Sequence, residues 1–307
     1  MILCCGEALI DMLPRRLATG ETAFVPHAGG AGFNTAIALG RLGVPVSFFG
    51  GLSTDFFGAR LKAEFAASGV DMSHARLSGR PTTLAFVRLR DGQPDYAFHD
   101  ENSAGRMLAQ ADLPALGEEV SALHFSGISL VQEPCGSTYE TLMRREHGQR
   151  VTLLDPNIRA AFVSDRDRHL QRMRRMIAMA DIVKLSEEDV AWFGEQGSHA
   201  GIATRWLAAG PKLVVVTAGP RGAVAYTRSG EIHVPAPRVE VVDTVGAGDT
   251  FNAGLLAWLH RAGKLDKAAI ASLPASDVEA ALTFAARAAA VTVSRAGANP
   301  PKLAELG

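Results

Sequence analysis

The sequence predicts an α/β protein: a three-layer α/β/α sandwich around a mostly parallel central sheet, with a small β-sheet to one side. Three observations predict it. From about residue 120 onward, strand-like apolar runs alternate regularly with helical stretches, the rhythm of βα units whose right-handed crossovers build one sheet covered on both faces. Residues 82–99 break that rhythm with helix-free β composition. Residues 243–254 set a small-residue turn directly before a helical pattern, a ready site for an anion.

With 307 residues, 47% hydrophobic and 21% charged, the chain can bury a large core. No linker, repeat or low-complexity stretch divides residues 1–307, so one domain is expected. A formal net charge of −1 draws neither nucleic acid nor acidic membranes. No apolar run is long enough for a bilayer, and the short apolar start lacks the basic region of a signal peptide. The three cysteines, Cys4, Cys5 and Cys135, have neither disulfide-framework nor zinc spacing. A reduced, cytoplasmic protein is expected. None of the nine histidines belongs to a His-Glu-x-x-His pattern.

Taken in order, the first strand is expected from Ile2 towards Met12, interrupted at Gly6-Glu7. Asp11 stands near its end, where ligand-facing groups of α/β proteins collect; a solvated strand-end residue is the plainer alternative. The loop at 27–34 is glycine-rich and feeds a short helix that turns Ile37 and Leu42 inward and stops at Gly43. From Gly30 it reads Gly-x-Gly-x-x-Thr, which fails the dinucleotide spacing. A strand at 46–49 and a helix at 58–68 follow; Asp55-Phe56-Phe57-Gly58 lacks every other part of the protein-kinase set. Residues 84–90 and 95–99 flank Asp91-Gly92, a hairpin signal. With residues 13–26 they compose the small sheet, read as a lid that covers substrate and excludes water; a peripheral hairpin is the alternative. Strands at 123–126, 151–155, 182–185 and 213–217 then alternate with helices at 136–147, 167–180 and 199–209. The basic run at 166–175 reads as a solvated helix face, and the Ala-rich stretch 278–293 as a core helix.

Val239, Val241 and Val242 suggest an extended approach to Gly246-Ala247-Gly248. After that turn Phe251, Leu255, Trp258 and Leu259 recur at helical spacing until Gly263. The turn therefore ends at a helix N-terminus with bare N–H groups and the positive dipole end outward. Asp249 stands in the first turn. A carboxylate beside an anion site suggests phosphoryl transfer, the N–H groups neutralising charge while the carboxylate accepts the proton of an attacking hydroxyl. On these residues alone, a capping Asp on a plain glycine turn stands beside that reading.

The twelve residues 243–254 resemble the C-terminal signature of the ribokinase-like (PfkB) carbohydrate kinases, Asp-Thr-x-Gly-Ala-Gly-Asp-x-Phe, and Gly29-Gly30 with Asn34-Thr35-Ala36 resembles their N-terminal one. The resemblance covers nearly the whole chain. It implies a ribokinase-like fold with Asp249 as catalytic base and Gly246, Ala247 and Gly248 as anion hole. It implies substrate contacts for Asp11, Gly29, Gly30 and Asn34, and for Phe98 on the lid. The loop Asp155-Pro156-Asn157-Ile158-Arg159 is similar to one beside the sugar and the transferred phosphate, so Arg159 would clamp one of them. Thr217, Gly219 and Gly222 match a loop lying against ATP, and the helix at 278–293 would wall the adenine. Ser186 and Asp189 stand where the family has Asn-x-x-Glu, the motif that organises Mg²⁺ and its water. The hydroxyl and shorter carboxylate depart from it, leaving Ser186 for ATP and Asp189 for the metal through water. A monovalent cation such as K⁺ and a homodimer joined through the lid are compatible with the family.

The expected activity is transfer of the γ-phosphate of ATP to a primary hydroxyl of a sugar. Residues 80–86 and 96–108, with the opening Cys-Gly-Glu-Ala-Leu-Ile-Asp, look like the bacterial fructokinase branch. The alternative is 2-keto-3-deoxygluconate, whose acid group would call on Arg88 and Arg106. A non-catalytic carbohydrate or nucleotide sensor is the alternative of another class; it has no need of the intact base and glycines. There is no P-loop, and a dehydrogenase fails on glycine spacing.

Overall fold

The computed structural model describes residues 1–90 and 93–307, with residues 88–90 and 93–95 described by backbone alone. The Asp91-Gly92 turn and the side chain of Arg88 lie outside the described residues. Strands β1 (Ile2–Cys5), β2 (Leu9–Arg16) and β3 (Thr22–Gly29) lead into helix α1 (Ala31–Arg41). Strands β4 (Val46–Phe49) and β5 (Gly51–Ser53), helix α2 (Phe56–Ala67), and strands β6 (Arg76–Ser78), β7 (Leu84–Arg90) and β8 (Gln93–His99) follow. The chain then alternates through β9 (Ala122–Ser126), α3 (Cys135–Glu146), β10 (Val151–Asp155), α4 (Arg166–Met179), β11 (Ile182–Ser186), α5 (Glu187–Phe193), α6 (His199–Ala209) and β12 (Leu213–Thr217). Strands β13 (Ala223–Thr227) and β14 (Gly230–Val234) precede α7 (Ala247–Arg261), α8 (Lys267–Ala271) and α9 (Ala275–Val293).

Eight strands form the main sheet in the order β14-β13-β12-β11-β10-β9-β1-β4. Pairing is parallel from β4 to β12 and antiparallel across β12-β13-β14. The strands are apolar on both faces because both faces are covered. Ile2, Cys4, Leu153, Ile182 and Val215 pack with α1, α2, α7 and α9 on one side. Leu3, Cys5, Leu154, Val183 and Val214 pack with α3, α4, α5 and α6 on the other. The chain runs outward from β1 to β4, then returns to β9 on the other side of β1. That reversal opens a crevice beyond the C-terminal strand ends, the usual binding place in open α/β sheets.

A second sheet, β3-β2-β7-β8, stands over that crevice. It takes in the stretches read from the sequence as a small sheet and begins earlier, because the single strand expected from Ile2 to Met12 is two strands in two sheets. The break falls at Glu7. Its Oε1 accepts the Ala31 N–H at 3.0 Å and its Oε2 the Ser129 N–H at 3.1 Å, which turns the chain out of the main sheet. The extended approach before α7 is also not a strand; Val241 and Val242 face solvent at 58% and 59% exposure.

Candidate active site

The N-terminus of α7 lines a cleft of about 860 Å³ between the small sheet and the strand ends. Gly246 caps the helix with φ 76°, a left-handed conformation that glycine adopts without a Cβ penalty. A Cβ there would also meet the Ala298 Cβ at 2.7 Å. The N–H groups of Gly246, Gly248 and Asp249 have no protein acceptor among the described residues, and Ala247 makes only a long bond to the Thr244 carbonyl, 3.3 Å. The turn read from the sequence as a place for an anion thus turns these amides to the cleft.

Asp249 is buried beside those amides. Asn34 donates through Nδ2 to its Oδ2 at 2.8 Å, and Asn157 through Nδ2 to its Oδ1 at 3.3 Å. Burial pushes its carboxyl up to about 7; the Asn34 bond works against burial, Asp155 adds to it, and Lys184 and Arg159 oppose it. A carboxylate that gains a proton near neutrality suits a general base. Asp11 is pushed up to about 6, again chiefly by burial, with Arg159 opposing and Glu7 adding. Gly29 leaves it room: a Cβ there would lie 2.2 Å from Asp11 Oδ2.

Most residues named from the sequence border this one cleft: Asp11, Gly30 and Asn34 on one side, Phe98 on the lid, Arg159 opposite, and Ser186, Asp189, Thr217 and Gly219 along the strand ends. Gly29 acts from behind Asp11. Gly222 is not among the residues lining the cleft; a Cβ there would meet the Val234 carbonyl at 2.1 Å. Asn34 is bonded to Asp249 itself. The Ser186–Asp189 pair is a capping box at the start of α5. Asp189 Oδ2 accepts from the Ser186 N–H at 2.8 Å and hydroxyl at 2.7 Å, and Oδ1 from the Ile158 N–H at 2.7 Å. Both carboxylate oxygens therefore fasten β11 to the loop after β10.

Several residues of the site were given no role of their own from the sequence, although Asp155 and Asn157 belong to the loop likened to the family's. Asp155 accepts the Asn157 N–H on Oδ1 at 3.1 Å, and on Oδ2 the Lys184 ammonium at 3.0 Å and the Asn252 amide at 2.7 Å. Asn157 sits at φ 43°, which asparagine tolerates better than most residues. The signal for Lys184 was a lone cation in the otherwise apolar run Ile182-Val183-Lys184-Leu185. On the small sheet, Tyr96 stacks with Phe98 at 5.7 Å, and Phe98 meets Phe162 at 4.8 Å, so an aromatic contact joins that sheet to the loop after β10 beside the cleft.

A near-neutral carboxylate beside unspent helix-terminal amides, in a lidded crevice of a parallel sheet, defines a phosphotransferase with an alcohol acceptor. The chain belongs to the pfkB family of carbohydrate kinases, whose model matches residues 1–305. A fructokinase of Rhizobium leguminosarum bv. trifolii is 56% identical over 273 residues, 89% of this chain and 84% of that protein. The crystal structure of a Xylella fastidiosa fructokinase with bound ATP superposes with a TM-score of 0.90 at 30% identity, covering 99% of this chain and 97% of that one. A Vibrio cholerae O395 fructokinase in fructose, ADP and calcium ion bound form gives 0.85 at 27% identity, covering 99% and 97%.

Proposed function

We propose that this protein is an ATP-dependent fructokinase. The observation that carries the chemistry is the Asp249 carboxylate, held by Asn34 and Asn157 beside the open amides of α7. Fructose docks against Asp11, Gly30 and Asn34 beneath Tyr96 and Phe98 of the lid. Its primary hydroxyl gives its proton to Asp249 as the oxygen–phosphorus bond forms and the bond from the γ-phosphorus to ADP breaks. The charge spread over the moving group's oxygens meets the N–H groups of Gly246 to Gly248. Arg159, exposed at the rim and bonded to Asn157 Oδ1 at 2.6 Å, is placed to clamp substrate or phosphate. ATP extends along Ser186, Thr217 and Gly219.

Magnesium fits this site as a companion of the nucleotide. Among the described residues no three His, Cys, Asp or Glu could hold a metal together, and Asp189, both oxygens engaged, would hold one only through water. Bound to the phosphates, Mg²⁺ would neutralise their charge. Fructose is favoured by the names of the relatives and by Arg106. That guanidinium is bonded to Asp100 at 3.2 Å and stands away from the cleft lining, so it does not meet an acidic sugar. The lid's edge strand β3 and the turn before it, with Leu17, Phe24 and Val25 exposed, are read as the contact between two copies of the chain.

The test is ADP release with MgATP and a panel containing fructose, ribose and 2-keto-3-deoxygluconate, in potassium and potassium-free buffers. Fructose should lead by kcat/KM. Turnover with 2-keto-3-deoxygluconate alone would replace the substrate, and no turnover with any sugar would favour a sensor.

A further inference from the structure

Lys184 is the one ammonium lining the cleft among the described residues. It rises from β11 on the face that packs under α7, flanked by Ile182 and Ser186 on the same side of the strand. The side chain is 5% exposed and its partner Asp155 is fully buried. Burial by itself would strip such a lysine of its charge, but Asp155, Asp189 and Asp249 outweigh burial and hold the ammonium above its ordinary value. His124, also buried and pushed down to about 3, adds no second cation. An ammonium has three hydrogens, and Asp155 takes one of them. The nitrogen lies so close to the first turn of α7 that a Cβ on Gly248 would stand 2.9 Å from it.

We propose that Lys184 completes the anion hole: its ammonium, anchored by Asp155 beneath Gly248, bonds the migrating phosphoryl group from the sheet side while the α7 amides bond it from the helix side. This rests on the phosphotransfer reading of the site. The oxygen–phosphorus bond to the sugar forms, the bond to ADP breaks, and the hydroxyl proton goes to Asp249. Lys184 keeps its own proton throughout. Glycine at 248 then has a reason beyond backbone approach, since any side chain there would push the ammonium away. A cation placed there acts most on charge that develops during transfer, so its loss should fall on turnover more than on ATP binding.

The test compares the wild-type enzyme with Lys184→Met, the double variant Lys184→Met/Asp155→Asn, and Asp249→Asn. The double variant removes the stranded carboxylate that could unfold the single one. Turnover of Lys184→Met should fall by about 10²–10³-fold, the cost of losing one oxyanion donor, while the KM for ATP moves by less than about fivefold. In the presence of magnesium and fructose, it should also lose most of the extra affinity of ADP with aluminium fluoride over ADP alone. The double variant should fold and stay slow. In the wild type, the ¹⁵Nζ signal of Lys184 should shift when aluminium fluoride joins ADP and sugar, a measurement that needs no variant. The proposal is overturned by turnover within tenfold of wild type in either lysine variant, by undiminished aluminium fluoride affinity, or by an unmoved signal. Asp249→Asn separates the two readings: it should lose turnover yet keep the aluminium fluoride complex. If it instead keeps turnover, the base assignment falls and the lysine result stands on its own.

Discussion

One carboxylate, Asp249, meets two opposing demands. As the proposed base it must take a proton near neutrality, and the burial that lifts it to about 7 makes that possible. The same burial weakens the fold. Its folded value lies above that of an unfolded aspartate, so the fold holds it best when protonated, and stability declines as pH climbs from about 4 to about 7. Asp249→Asn should therefore cut turnover at least about a hundredfold and also raise the thermal midpoint at pH 8. At roughly 1.4 kcal/mol per pKa unit the gain is on the order of a few kcal/mol. A lowered midpoint with turnover intact would contradict both roles. For the wild type, kcat/KM for sugar should fall about tenfold per unit below about pH 7; a profile flat from pH 6 upward would remove the base.

Helix α7 delivers its amides through the left-handed Gly246 and its tight fit against Ala298. Gly246→Ala must strain the backbone and press on Ala298. A loss of about 1–3 kcal/mol is expected in urea unfolding, together with slower turnover, because the helix terminus moves away from the phosphate. Activity and stability both unchanged would mean that the turn tolerates a side chain. The lid works through its aromatic contact. Phe98→Ala removes the contact with Phe162 and should raise the sugar KM roughly tenfold, about 1.4 kcal/mol, while the KM for ATP stays near wild type. An equal rise in both would place Phe98 outside the sugar pocket.

For the molecule as a whole, substrates seated as proposed would bridge the small sheet and the body, linking binding to folding. Fructose with ADP at a hundred times their dissociation constants should add about 2.7 kcal/mol to unfolding, per ligand, and raise the thermal midpoint accordingly. The exposed Phe24 and Val25 lie on β3, an edge strand of the lid, and Leu17 on the turn between β2 and β3. Phe24→Asp should shift sedimentation from two copies to one; a wild type already monomeric at assay concentration would end the dimer reading.

What could be read in one dimension was whatever local rules govern. Period-two and helical spacing placed the βα elements, because backbone geometry and two-sided burial dictate those patterns within ten or so residues. The glycine turn before α7 was legible for the same reason, and so was the carboxylate one turn into the helix. The polar web around that carboxylate was not. Asn34, Asn157 and Lys184 stand 215, 92 and 65 positions from Asp249 along the chain, and nothing local dictates that the two amides meet its oxygens or that a strand lysine comes up beneath Gly248. Those approaches, and the proton affinity they and burial set, exist only once the sheet and helices have packed, because desolvation and hydrogen bonding depend on distances that chain order does not encode.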